Sequence, residues 1–137
     1  MRNEVKENAT EILVVDDVEQ IRSFIRVILL KLGFEKVETS SSSQDVIERL
    51  RRKNYDMIFL DINLPGVDGL SLLRLIRDKY PKIKVIMCTG NSTEQNVKEA
   101  ISAGAAGFLA KPVLAKNITA LFDRLKVPYI SLTQISR

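Results

Sequence analysis

Ile12-Leu13-Val14-Val15-Asp16-Asp17 is followed by Val18, Ile21, Ile25, Leu29 and Leu32, spaced by three and four residues, and then by Gly33. A strand with one wet face would alternate apolar and polar residues, but Ile12–Val15 does not. It reads as a strand covered on both sides, of the kind found in parallel sheets. The spaced residues after it mark one face of a helix, and Gly33 ends that helix. A buried strand feeding a helix is the repeating half of an α/β fold.

The pattern recurs along the rest of the chain. Phe34–Thr39 reads as a second strand, and the Ser40–Ser43 run starts a helix marked by Val46, Ile47 and Leu50. Tyr55–Leu60 is a third strand, and Leu70, Leu73 and Ile76 mark a helix that stops before Pro81. Ile83–Cys88 is a fourth strand. Ser92 opens the next helix, with Gln95 as its capping-box partner, and Gly104 closes it. Gly107–Ala110 is a short fifth strand, and Leu114, Ile118, Leu121 and Leu125 line a fifth helix. Strict alternation of five strands and five helices predicts a doubly wound parallel sheet with helices on both faces.

Composition agrees with one folded domain. The chain has 137 residues, 45% of them hydrophobic and 28% charged, and no apolar run nears the ~20 residues of a membrane span. The polar start does not read as a secretory signal, so none is expected. Cys88, the single cysteine, has no internal disulfide partner, which fits a reducing cytoplasm. The net charge is +4, yet the only dense basic run is Arg49, Arg51, Arg52 and Lys53 at a helix end, where cations complement the dipole. Direct nucleic-acid binding is therefore not expected. With no histidine, histidine metal sites and Ser-His or Cys-His catalysis are excluded. There is no internal repeat or linker. Residues 11–126 read as the domain, 1–10 as an extension and 127–137 as a tail whose role the sequence does not define.

In open α/β sheets, ligands gather beyond the carboxyl ends of the strands. The polar residues there are Asp16 and Asp17 after the first strand, Asp61 after the third, Thr89 after the fourth and Lys111 after the fifth. Three carboxylates at one rim repel one another, so at least one should have a raised pKa. A hard cation relieves this, and Mg²⁺ suits one or two carboxylates plus a phosphate. Asp61 could then act as a nucleophile, with Lys111 and Thr89 holding phosphoryl oxygens. Each group alone has a plainer explanation: a helix cap for Asp16 or Asp17, a turn former for Asp61, a solvated lysine for Lys111. Their joint placement at the ends of four strands argues against coincidence.

Val14-Val15-Asp16-Asp17, Leu60-Asp61-Ile62-Asn63-Leu64-Pro65-Gly66, Asp68-Gly69, Thr89 and Phe108-Leu109-Ala110-Lys111-Pro112, in this order, resemble the receiver domains of two-component response regulators, over residues 11–126. The resemblance implies a flavodoxin-like sheet of order 2-1-3-4-5 and phosphorylation of Asp61. It implies Mg²⁺ held mainly by Asp17, with Asp16, Asp61 and the backbone carbonyl of Asn63. Lys111 would pair with the phosphoryl group, and its bond to Pro112 would be cis. Thr89 and Phe108 would form a switch pair. The donor would be a phosphohistidine on a sensor kinase or phosphotransfer protein. The output would pass to a downstream protein, or a second copy, through the face of the fourth helix, fifth strand and fifth helix. With no output domain read after Lys126, a cytoplasmic receiver is expected, either stand-alone and chemotaxis-type or cut from a longer regulator.

The chain departs from the common family pattern at Gly90, where alanine is frequent, and at Val67, where methionine is. Asn91 falls where side chains tune hydrolysis in the family. A haloacid-dehalogenase-type phosphatase would carry its nucleophile after the first strand in Asp-x-Asp, where Asp16-Asp17-Val18 stands instead. A flavin module would need a phosphate loop there. A phosphorylation-independent pseudo-receiver is the remaining alternative, and such chains typically lack part of the acidic trio or the lysine.

Overall fold

The computed structural model describes residues 9–90 and 93–130. Five strands alternate with five helices: β1 (Glu11–Val15), α1 (Glu19–Lys31), β2 (Lys36–Ser40), α2 (Ser43–Arg52), β3 (Met57–Asp61), α3 (Gly69–Lys79), β4 (Lys84–Thr89), α4 (Glu94–Ser102), β5 (Gly107–Ala110) and α5 (Ala115–Leu125). The strands form one sheet in the order β2-β1-β3-β4-β5, and every pairing is parallel. The expected architecture is the observed one.

Side chains alternate across a strand, and the sheet sorts its apolar residues accordingly. Ile12, Val14, Met57, Phe59, Ile86, Cys88 and Leu109 face one way, onto Ile25, Ile28 and Leu29 of α1 and Ile118, Leu121 and Phe122 of α5. Leu13, Val15, Ile58, Leu60, Val85 and Met87 face the other way, onto α2, α3 and α4. Phe122 anchors the first layer, its ring edge-on to Phe34 and Phe59 at 5.4 and 6.3 Å. Burying such a side chain fully contributes about 1.5–3 kcal/mol.

Several helix ends follow from local chemistry, and some differ from the sequence reading. Ser42 caps α2 by accepting from the Asp45 N–H, and Asp68 caps α3 by accepting from Ser71. Thr93, not Ser92, caps α4, accepting from Asn96. Ser92 and Asn91 lie outside the described residues. Val18 and Leu114 occupy the N-cap positions of α1 and α5, ahead of the first helical turn, so their side chains leave the apolar stripe and stay exposed. α4 buries only Ala100 fully. Among the described residues no helix is long and apolar enough to cross a membrane.

The basic run at the end of α2 is largely neutralised within the domain. Arg49 pairs with Asp45 and Glu38, Lys53 with Glu11 and Glu38, and Arg51 with Glu48. The segment after α5 folds back rather than departing. Val127 and Tyr129 pack on the first layer, the Ile130 N–H donates to Leu32 O at 2.8 Å, and the Tyr129 hydroxyl donates to Asp123 at 2.8 Å.

Candidate functional site

Four strand ends converge on one rim, and the sheet's register decides what meets there. Asp61 ends β3 opposite Cys88 of β4, on the α1/α5 side of the sheet. Asp16 and Lys111 each lie one residue past a strand, but their N–H groups extend the ladder, to Ser40 O at 3.1 Å and Thr89 O at 2.9 Å. Counting alternately from Val14 and Leu109 places both on the same side as Asp61. This shared parity lets the Lys111 stem run under the rim. Its Nζ lies 2.7 Å from Asp16 Oδ2 and 3.4 Å from Asp61 Oδ2.

One oxygen from each of Asp16, Asp17 and Asp61 lies within 4.8 Å of the others. Asp16 and Asp61 are buried, whereas Asp17 is exposed. Burial and, after it, the Asp16 charge push the Asp61 pKa above the ordinary carboxylate value, against the lowering influence of Lys111 and the Asn63 N–H. Burial alone would lower the Lys111 pKa, but hydrogen bonding to Asp16 and the charges of Asp16 and Asp61 raise it overall. Lysine therefore stays charged and offsets one of three negative charges. The donor set is all oxygen and carries a charge excess, which suits a hard divalent cation that keeps several waters.

The loop after β3 is held by short-range contacts. The Asn63 N–H donates to Asp61 Oδ1 at 3.3 Å, and the Gly69 N–H donates to Ile62 O at 2.8 Å. Ser43, buried at the start of α2, donates its hydroxyl to Pro65 O and accepts from the Val67 N–H. Ser43 was legible only as part of a serine run that starts a helix, and nothing local signals that it braces a loop more than 20 residues away. Gly69 was legible as part of the motif but not as a contact. Arg22, whose guanidinium donates to Asp16 O at 2.7 Å, gave no sequence signal at all.

Thr89 ends β4 fully buried, and Phe108 is half-buried beside Met87 on the α2/α3/α4 side. The same alternation puts Thr89 on that side too. The Lys111–Pro112 peptide bond is cis. The Cys88 thiol, buried behind Asp61, has its pKa pushed up to about 12 by burial and is not a nucleophile at neutral pH.

The family model described as response regulator receiver domain matches residues 12–123. The chain is 34% identical over 110 residues to the chemotaxis protein CheY of Bacillus subtilis, covering 80% of this chain and 92% of that protein. It is 31% identical over 121 residues to CheY of Pseudomonas aeruginosa, covering 84% and 98%. It is also similar to the transcriptional regulatory protein DegU of Brevibacillus brevis, 30% identical over 128 residues, covering 93% of this chain and 53% of that one. Among solved structures, a CheY-like receiver domain protein from Methanospirillum hungatei superposes with a TM-score of 0.78 at 25% identity, covering 94% and 98%. The response regulator CheY4 of Vibrio cholerae gives 0.78 at 24% identity, covering 86% and 99%, a likeness of fold.

Proposed function

The chain belongs to the response regulator receiver domain family, and from that membership we propose that it signals by accepting a phosphoryl group on Asp61. The observation that carries this reading is the placement of Asp61: buried, with a raised pKa, 3.4 Å from an ammonium and beside two more carboxylates. In the proposed step a carboxylate oxygen of Asp61 attacks phosphorus. The P–N bond of a donor phosphohistidine breaks, and its electron pair stays on the imidazole nitrogen. Lys111 pairs with the transferred group's oxygens, releasing part of its hold on Asp16. Thr89 supplies a hydroxyl donor from the end of β4.

Asp17, Asp16, Asp61 and the Asn63 backbone carbonyl would hold Mg²⁺, which neutralises charge that develops during transfer. The proposed donor is a sensor histidine kinase or phosphotransfer protein in the cytoplasm. The proposed readout is the Thr89–Phe108 pair, delivered to a protein target through α4, β5 and α5. We take residues 11–126 as the receiver unit, flanked by an extension and by a tail whose first residues, 127–130, pack back onto the unit.

The test is phosphorylation by a small acyl phosphate with Mg²⁺, followed by intact-mass measurement. One added phosphoryl group is expected in the parent and none in Asp61→Asn. Undiminished labelling of Asp61→Asn would remove Asp61 from the role. No labelling of the parent, by this donor or by any of a panel of histidine kinases, would favour a phosphorylation-independent binding module.

A further inference from the structure

Of the three clustered carboxylates, Asp17 alone has nothing holding its side chain. It is exposed and makes no hydrogen bond or ion pair among the described residues. One of its oxygens nonetheless lies within 4.8 Å of oxygens of both Asp16 and Asp61. Its place must therefore be set through the backbone. Three contacts act there. The Asp16 N–H donates to Ser40 O at 3.1 Å, tying the loop to β2. Asp16 Oδ1 accepts from the Val18 N–H at 2.9 Å, closing a turn around Asp17. The Arg22 guanidinium donates to Asp16 O at 2.7 Å.

The third contact acts on the peptide unit that joins Asp16 to Asp17. That unit is planar and rigid, so holding its oxygen also fixes the N–H and Cα of Asp17. Arg22 is well placed to hold it, because its own N–H donates to Val18 O at 3.1 Å, just past Asp17. Among the described residues Arg22 forms no ion pair, so its fork is not shared with a carboxylate. Backbone and side chain of one residue thus brace both sides of Asp17.

We propose that Arg22 is a positioning residue for Asp17, holding the Asp16–Asp17 peptide so that the unpaired carboxylate is presented ready to ligate a divalent cation. The inference rests on the reading of Asp16, Asp17 and Asp61 as a cation site. It has a sign that separates it from a simple charge effect. As a cation near the site, Arg22 repels a divalent ion, and its removal would tighten binding. As a tether it removes disorder that binding would otherwise have to remove, and its loss weakens binding. Partners of metal ligands typically change affinity by about 10–100-fold when removed, and Arg22 is half-buried with its guanidinium engaged at Asp16 O. The tether is taken to outweigh the charge, and the sign of the change in Kd decides between them. Lysine keeps the charge but loses the planar fork.

The experiment is Mg²⁺ titration of the full chain by NMR, with thermal unfolding of each variant alongside. Arg22→Lys and Arg22→Gln should each raise the Kd by about 10-fold. In an Asp17→Asn background Arg22→Gln should change the Kd by less than about twofold, because coupled sites are not additive. Tighter binding in Arg22→Gln with Arg22→Lys unchanged would show that only the charge matters and overturn the tether. A loss that persists undiminished in the Asp17→Asn background, or a lower Tm with unchanged Kd, would overturn it as well. Absence of Mg²⁺ binding by the parent chain would instead overturn the cation-site reading on which the tether rests.

Discussion

Gly69 packs against the backbone of Asp61 so closely that a β-carbon at residue 69 would lie 2.3 Å from the Asp61 carbonyl oxygen and 2.6 Å from Ile62 Cα. Both obstacles are backbone, so neither can swing aside as a flexible side chain would. The first turn of α3 is thereby pressed onto the end of β3, and the Gly69 N–H donates to Ile62 O.

Gly69→Ala should accordingly destabilise the chain by about 1–3 kcal/mol, the usual cost of overpacking. It should also shift the amide resonances of Asp61 and Ile62. Gly90 offers the control, because among the described residues a β-carbon there meets nothing within 4 Å. Urea unfolding should place Gly90→Ala within about 0.5 kcal/mol of the parent. Equal effects of the two substitutions would show that the close approach does not constrain this loop.

Asp61 should make stability depend on pH in a definite direction. Its folded pKa is raised, chiefly by burial, so its contribution favours the folded state only when the carboxyl is protonated. That contribution is complete below its unfolded value near 3.8 and is lost as pH rises through the folded pKa. Without added metal, Asp61→Asn should melt above the parent at pH 7, and the gap should narrow as pH falls toward 3.8. A gap that stays constant over this range would mean that Asp61 carries no such penalty.

The segment after α5 should behave as part of the domain. Val127 N–H donates to Phe122 O, Ile130 N–H to Leu32 O, and the Tyr129 ring lies 6.1 Å from that of Phe122. Truncation after Lys126 should lower stability by about 2 kcal/mol, as expected for removing partly buried apolar side chains. Unchanged urea midpoints in the truncated chain would confine the folded unit to residues before 127.

Phe108 should report phosphorylation if the proposed switch operates. It is half-buried and has no hydroxyl, so no side-chain hydrogen bond fixes it, and its preference between positions rests on burial alone. Ring resonances of Phe108 should move inward-shifted upon addition of beryllofluoride with Mg²⁺, with both positions populated beforehand. An unchanged ring environment alongside clear mimic binding at Asp61 would send the search for the readout to another face.

Local chemistry was enough to write down most of this molecule. A buried strand must be apolar on both sides, and a helix packed on one face must repeat every three or four residues. Ile12–Val15, the α3 stripe and Gly107–Ala110 were therefore legible one segment at a time, and five such alternations leave few topologies. Asp16, Asp17, Asp61, Thr89 and Lys111 were legible too, because their position depends only on where a strand ends. Capping was less secure: in Ser92-Thr93 both residues have capping side chains, and only the backbone path of α4 chose Thr93. Val18 and Leu114 fit the apolar stripes by spacing but precede the first turn of their helices, a boundary that spacing alone does not mark. What the tertiary structure alone decided were contacts between distant segments. The pairing of Lys111 with Asp16 depends on the register of the strands between them, Ser43 reaches a loop more than 20 residues away, and Gly69 matters through a backbone that only the folded chain brings near. Periodicity records which face of an element is buried, but which atom of another element it meets is fixed only when the layers close.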